Sequence, residues 1–149
     1  MPEKPDLRRK PHILFLGHTN TARTLVAEAY ARQLMPDLVE ARSAGLQAGK
    51  VQPRALAVLR EEELESPALE AKALDRDLLE WADMVITLCT DPAKLPLPAA
   101  ESFICKNWPM DPPTRFAADG DDLEPFRRMR DDVKRRVRLL ANSMRLMQR

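Results

Sequence analysis

The chain has 149 residues, 44% of them hydrophobic, enough for one buried core and too few for a second domain. With 24 Lys and Arg against 23 Asp and Glu the formal charge is +1, so no overall field recruits nucleic acid or an anionic membrane, and any anion site must be local. Two cysteines, Cys89 and Cys105, exclude a disulfide framework. With only His12 and His18 beside them there is no CxxC or HxxxH spacing for zinc, so neither a metal nor a cofactor is expected.

MPEKPDLRRKP (1–11) is charged, proline-rich and without an apolar segment. It reads as a flexible leader on a cytoplasmic protein whose single domain spans 12–149, and no later run is long enough to cross a bilayer. HILFLG (12–17) has no polar alternation, as expected of a central strand buried on both faces. RTLVAEAYARQLM (23–35) places Leu25, Val26, Ala29, Tyr30 and Leu34 on one helical stripe before Pro36. LVEARSAGL (38–46) alternates like a strand. PRALAVLREEELE (53–65) opens on a proline suited to a first helical turn and carries Leu56, Leu59 and Leu64 inward.

Asp75 can cap a brief helix over DRDLLEWAD (75–83). MVITLCT (84–90) and ESFICKNW (101–108) read as the third and fourth strands, and a long helix runs from Pro125 to the end. Strands separated by helices imply right-handed crossovers, a parallel sheet covered on both faces, and an α/β sandwich.

In such a sheet, ligands bind where a strand's carboxyl end feeds a helix N-terminus with unpaired N–H groups. His18, Thr19, Asn20, Thr21, Ala22, Arg23 and Thr24 occupy that place. Threonine hydroxyls add donors, Asn20 tolerates a left-handed backbone, and the Arg23 fork suits a tetrahedral oxyanion. An ordinary polar strand-to-helix turn with a surface arginine fits the spacing equally well. A nucleotide site fits worse, since both GxGxxG and GxxxxGK[ST] are absent.

ILFLGHTNTARTLVAEA resembles the anion-binding loop of the low-molecular-weight protein tyrosine phosphatase superfamily, and more closely its thioredoxin-coupled arsenate reductase branch. RSAGLQAGKVQPRALAVLRE (42–61), ADMVITLC (82–89) and NWPMDPP (107–113) resemble further family segments in the family's order. The resemblance implies a three-layer sandwich around a four-stranded parallel sheet of order 2-1-3-4. It also implies that Arg23 holds the anion, Asp111 is the general acid, Cys89 is the reductases' second thiol, and Asn20 and Ser43 fix the loop.

The departures bear on chemistry. The family's nucleophilic cysteine is replaced by Gly17, so no cysteinyl adduct can form there, and loss of a nucleophile costs on the order of a million-fold in turnover in another hydrolase. His18 is expected to aim at the rim rather than at the anion. Thr19 replaces a family glycine and strains the cradle if that backbone needs positive φ. The reductases' third thiol is missing from DPAKLPLP. Cys105 could lie near Cys89, though strand cysteines are usually buried and inert.

The C-terminal helix carries Phe126, Met129, Val133, Val137, Leu140, Met144 and Met147 at helical spacing, with nine Arg or Lys and two Asp on its other faces after residue 124. The stripe reads first as the face packed on the body of the domain, its last turns as a homodimer or partner seam, and the basic face as solvated arginines near DGDDLE. Three readings follow: a catalytically impaired binder of phosphate, arsenate or a phosphorylated protein; an atypical working phosphatase or reductase using His18 or Cys89; and an interaction module built on the last helix.

Overall fold

The computed structural model describes residues 9–64, 71–91 and 103–147. Its elements run β1 (His12–Gly17), α1 (Arg23–Leu34), β2 (Glu40–Gly45), α2 (Pro53–Glu61), α3 (Arg76–Trp81), β3 (Met84–Thr87), β4 (Ile104–Asn107) and α4 (Glu124–Met147), with a short 3-10 turn at Pro113–Arg115. All strand pairs are parallel and the sheet order is β2-β1-β3-β4.

An apolar run with no polar face has to be covered on both sides, and β1 takes the centre of the sheet for that reason. Ile13 and Phe15 point to one side, where with Ile86 and Leu88 they pack under α1, α2 and α4. Leu14 and Leu16 point to the other, where Val85, Cys89 and Phe103 are joined by Leu74, Leu78, Leu79 and Trp81 from in and around α3. The result is three layers.

Helix α1 lies between the sheet and α4, so residues Thr24 to Ala31 are buried without interruption, Glu28 included. The expected single stripe is therefore only part of its buried surface. α2 stops at Glu61 rather than 65 and buries Ala55, Val58 and Leu59, while Leu56 is only half-buried. Asp75 caps α3 as expected, accepting from the Leu78 N–H at 2.8 Å. Of the leader 1–11, residues 1–8 lie outside the described residues, and Arg9 is anchored on Asp83 at 2.8 Å.

Two expectations are corrected at the sheet's far edge. All four residues of β4 are exposed, so among the described residues this strand is not covered on both faces. Cys105 is consequently exposed rather than buried. It sits in register with Val85, four strand residues before Cys89, or about 13 Å. That exceeds the reach of a disulfide.

On α4 the residues Phe126, Met129, Val133, Val137 and Ala141 are buried, which makes the apolar stripe a core face. Only Leu139, Leu146 and Met147 are strongly exposed. The basic face is ion-paired mainly with acids at the end of α2 and on α4 itself, including Glu124, the last residue of DGDDLE: Arg127 and Arg130 each reach Glu61 at 2.7 Å, Arg127 also reaches Glu124 at 2.6 Å, and Lys134 reaches Glu62 at 2.8 Å. Hydrogen bonds from these two arginines hold the Glu61 carboxyl down at about 2. A depressed carboxyl stabilises the fold above the ordinary glutamate range and loses that contribution as pH falls toward its folded value. The stability gap between the wild type and Glu61→Gln should thus stay constant above about pH 5 and close toward pH 2 in acid denaturation followed by circular dichroism. Among the described residues, no helix is long and apolar enough to cross a membrane.

Candidate anion-binding site

The loop from β1 to α1 is held by its carbonyls. Those of Gly17, His18, Thr19 and Thr21 accept from the N–H groups of Leu46, Gln47, Gly49 and Gln52, at 3.2, 3.2, 2.9 and 2.9 Å. A trans peptide sets its N–H opposite its carbonyl, so the N–H groups of His18, Thr19, Asn20 and Ala22 point away from that supporting segment. Among the described residues, no N–H from 18 to 25 donates to a protein oxygen. Ala22, at the N-cap of α1, brings no side-chain acceptor. Buried peptide donors require a partner, and clustered at a helix N-terminus they select an anion.

Asn20 locks the loop. It has φ 54, the left-handed conformation that asparagine tolerates, and is 2% exposed. Its amide donates to Thr24 Oγ1 at 2.8 Å and its carbonyl accepts the Lys72 N–H at 2.8 Å. Thr19 is not left-handed, so the anticipated strain at that residue does not arise.

Among the described residues Ser43 makes no side-chain hydrogen bond to the loop, contrary to its expected role. Its hydroxyl donates to the buried Glu28 at 2.8 Å. Glu28 also faces Lys72 Nζ at 3.6 Å and Arg32 at 3.4 Å. Ser43 is therefore linked to the loop through Glu28 and Lys72, whose N–H binds Asn20. Direct support comes from Gly45, where a Cβ would lie 2.6 Å from both the Thr19 carbonyl carbon and the Asn20 nitrogen.

At the head of the loop Gly17 is buried and presents no reactive atom. A Cβ there would meet Thr24 Cγ2 at 3.2 Å, so the threonine methyl crowds the space a cysteine stem would need. Arg23, the first residue of α1, donates from Nη1 to the Met110 carbonyl at 2.6 Å and so ties the cradle to the loop carrying Asp111. Among the described residues, four of its five N–H donors make no protein hydrogen bond. Burial pulls the guanidinium pKa down, opposed by the charges of Cys89, Asp111 and Asp91.

Asp111 accepts from Arg115 at 2.9 Å and makes no hydrogen bond to the cradle. Cys89 is buried at the end of β3, close enough to Arg23 to feel its charge. Burial pushes its thiol up, and the Asp91 carboxylate adds to this, while the Asp91 N–H and Arg23 pull it down. The balance leaves a thiol rather than a poised thiolate. His18 stands at the rim as expected, with Nε2 3.1 Å from Asp91 Oδ1.

Sequence reasoning thus missed Glu28, Lys72, Gly45 and Asp91. Only Glu28 left a signal, as an acid in an otherwise apolar helical run. Nearby, a groove of about 470 Å³ is lined by Met110, Asp111, Phe116, Asp122, Arg128 and Asp132. With Glu124 also in the lining, four carboxylates against one arginine make it a poor anion site, leaving the cradle as the candidate.

Residues 12–148 match the family described as low molecular weight phosphotyrosine protein phosphatase. The chain is 32% identical over 138 residues to an arsenate reductase of Halalkalibacterium halodurans, covering 90% of this chain and 97% of that protein. An arsenate reductase solved in its oxidized state is 27% identical, with a TM-score of 0.74 over 89% of this chain and 98% of that one. The YwlE arginine phosphatase of Geobacillus stearothermophilus superposes with a TM-score of 0.76, over 93% of this chain and 95% of that one; at 22% identity this likeness concerns the fold alone. With the family match running over nearly the full length of an α/β fold whose sheet order is β2-β1-β3-β4, the chain belongs to the low molecular weight phosphotyrosine protein phosphatase family.

Proposed function

We propose that this protein is a catalytically impaired family member that binds phosphate, arsenate or a phosphorylated protein on the loop 17–24 without turning it over. One observation carries the reading: the peptide donors of residues 18–25 lack acceptors among the described residues, while the residue at the position that would attack a bound anion is Gly17. The arsenate reductases among its relatives support an oxyanion of this size. A rival reading as a working enzyme needs another nucleophile, and Cys89 is a buried thiol while His18 is engaged at the rim. The interaction-module reading retains only Met147 of the α4 stripe, with Leu139 and Leu146 exposed outside it.

Calorimetric titration should give phosphate and arsenate binding, and Arg23→Ala should weaken it at least about tenfold, a loss of about 1.4 kcal/mol or more, as expected for a charge-assisted contact. Neither p-nitrophenyl phosphate hydrolysis nor thioredoxin-coupled arsenate reduction should exceed background. Turnover at an ordinary enzymatic rate, or no binding of either anion, would defeat the proposal.

A further inference from the structure

At the mouth of the cradle three side chains of different donor type converge. β1 and β3 are parallel neighbours, so their carboxyl ends lie side by side, and the residues just beyond those ends meet. His18 follows β1, and Cys89 and Asp91 follow β3. One imidazole nitrogen, the Cys89 sulfur and one Asp91 carboxylate oxygen all lie within 4.8 Å of one another. We propose that His18, Cys89 and Asp91 form a three-ligand site for a zinc-class divalent cation, with its remaining position open to solvent beside the anion cradle.

The donor set is chemically selective. Imidazole, thiolate and carboxylate together match a borderline cation such as Zn²⁺, whereas Mg²⁺ and Ca²⁺ prefer oxygen alone. Around a tetrahedral zinc the donor atoms stand about 3.3–3.8 Å apart. Reaching that spacing requires a small inward adjustment. The His18 and Asp91 side chains are partly exposed, at 34% and 41%, so a change of rotamer supplies the adjustment, while Cys89 is fixed in the core beneath them.

On binding, the Cys89 thiol releases its proton to solvent and the sulfur lone pair forms the metal bond, while His18 ligates as the neutral imidazole. Two anionic ligands then neutralise the dication, leaving Arg23 as the cation facing the site. Three protein ligands and one open position are the arrangement of zinc sites that bind a water or an exogenous anion, rather than of closed structural ones. The site stands on its own residues, whether or not the cradle holds an anion.

The test is a Co²⁺ titration of the full chain under reducing conditions, read by optical absorption, followed by displacement with Zn²⁺. One equivalent should bind with a thiolate-to-cobalt charge-transfer band and the ligand-field bands of a four-coordinate ion. The band should persist in Cys105→Ser, disappear in Cys89→Ser, and require at least about tenfold more Co²⁺ in His18→Gln and in Asp91→Asn. The last two are substitutions of partly exposed residues, so they decide the matter even if Cys89→Ser fails to fold. Absence of a thiolate band in the wild type overturns the proposal. So does a band that is lost in Cys105→Ser, or one unchanged in both His18→Gln and Asp91→Asn.

Discussion

Gly17→Cys combined with Thr24→Ser should give a phosphatase, and Gly17→Cys alone a much poorer one. The N–H groups of the loop are arranged for an anion already, and a thiolate placed at their focus would be stabilised as a bound oxyanion is. Alone, the new Cβ would stand 3.2 Å from the Thr24 methyl. Thr24 cannot rotate freely out of the way, because its hydroxyl accepts the Asn20 amide at 2.8 Å, the bond that holds Asn20 in its left-handed conformation. Serine keeps the hydroxyl and removes the methyl.

Nucleophile loss costs on the order of a million-fold elsewhere, so recovery of even a small part, on the order of a thousand-fold over wild type, is expected of the double variant. The single variant should lag it by at least about tenfold, one clash being worth about 1–3 kcal/mol. Assays of p-nitrophenyl phosphate hydrolysis in a Cys105→Ser background would measure both. Iodoacetamide labelling against pH should place the new thiol well below the ordinary cysteine value of about 8.5. If the double variant titrates like a free cysteine, the peptide donors are not directed as their carbonyl bonding implies.

Gly45→Ala is expected to be the most damaging of the conservative changes. Its Cβ would fall 2.6 Å from backbone atoms of both Thr19 and Asn20, so no side chain can yield and the loop itself must move. Overpacking of this kind costs about 1–3 kcal/mol, and more when the backbone is the obstacle. For a chain of this size that lowers the melting temperature by about 3–10 °C, with phosphate affinity falling at least about tenfold as the cradle is pushed out of shape. Gly120→Ala is the control. Nothing lies within 4 Å of its added Cβ and its φ is not positive, so its effect should be neutral or slightly stabilising. Equal melting temperatures for the two variants would contradict the close approach of β2 to the loop.

Much of the architecture is legible along the chain. Each apolar run without alternation became a strand, the Asp75 cap starts its helix, and Pro53 opens α2. Boundaries moved where termination depends on packing, as at Glu61, where the chain turns through Glu62 and Glu63 instead of continuing. β4 departed further, because an apolar and aromatic composition cannot say whether a strand lies at the centre or at an edge. The same uncertainty misplaced Cys105 among the buried residues.

In the site, the sequence supplied the strand-to-helix loop, its left-handed asparagine, the arginine at the first helical position and the missing nucleophile. These depend on short-range geometry and on which atoms a residue owns, and both are written in local order. The folded chain alone decided that Ser43 serves Glu28, that Gly45 presses against Thr19 and Asn20, that Asp111 turns to Arg115, and that His18 meets Cys89 and Asp91. Apart from the local Asp111–Arg115 contact, these neighbours stand from 15 to 73 positions apart, brought together by strand pairing and by helix packing on the sheet, and the spacing of residues along the chain carries no record of that distance in space.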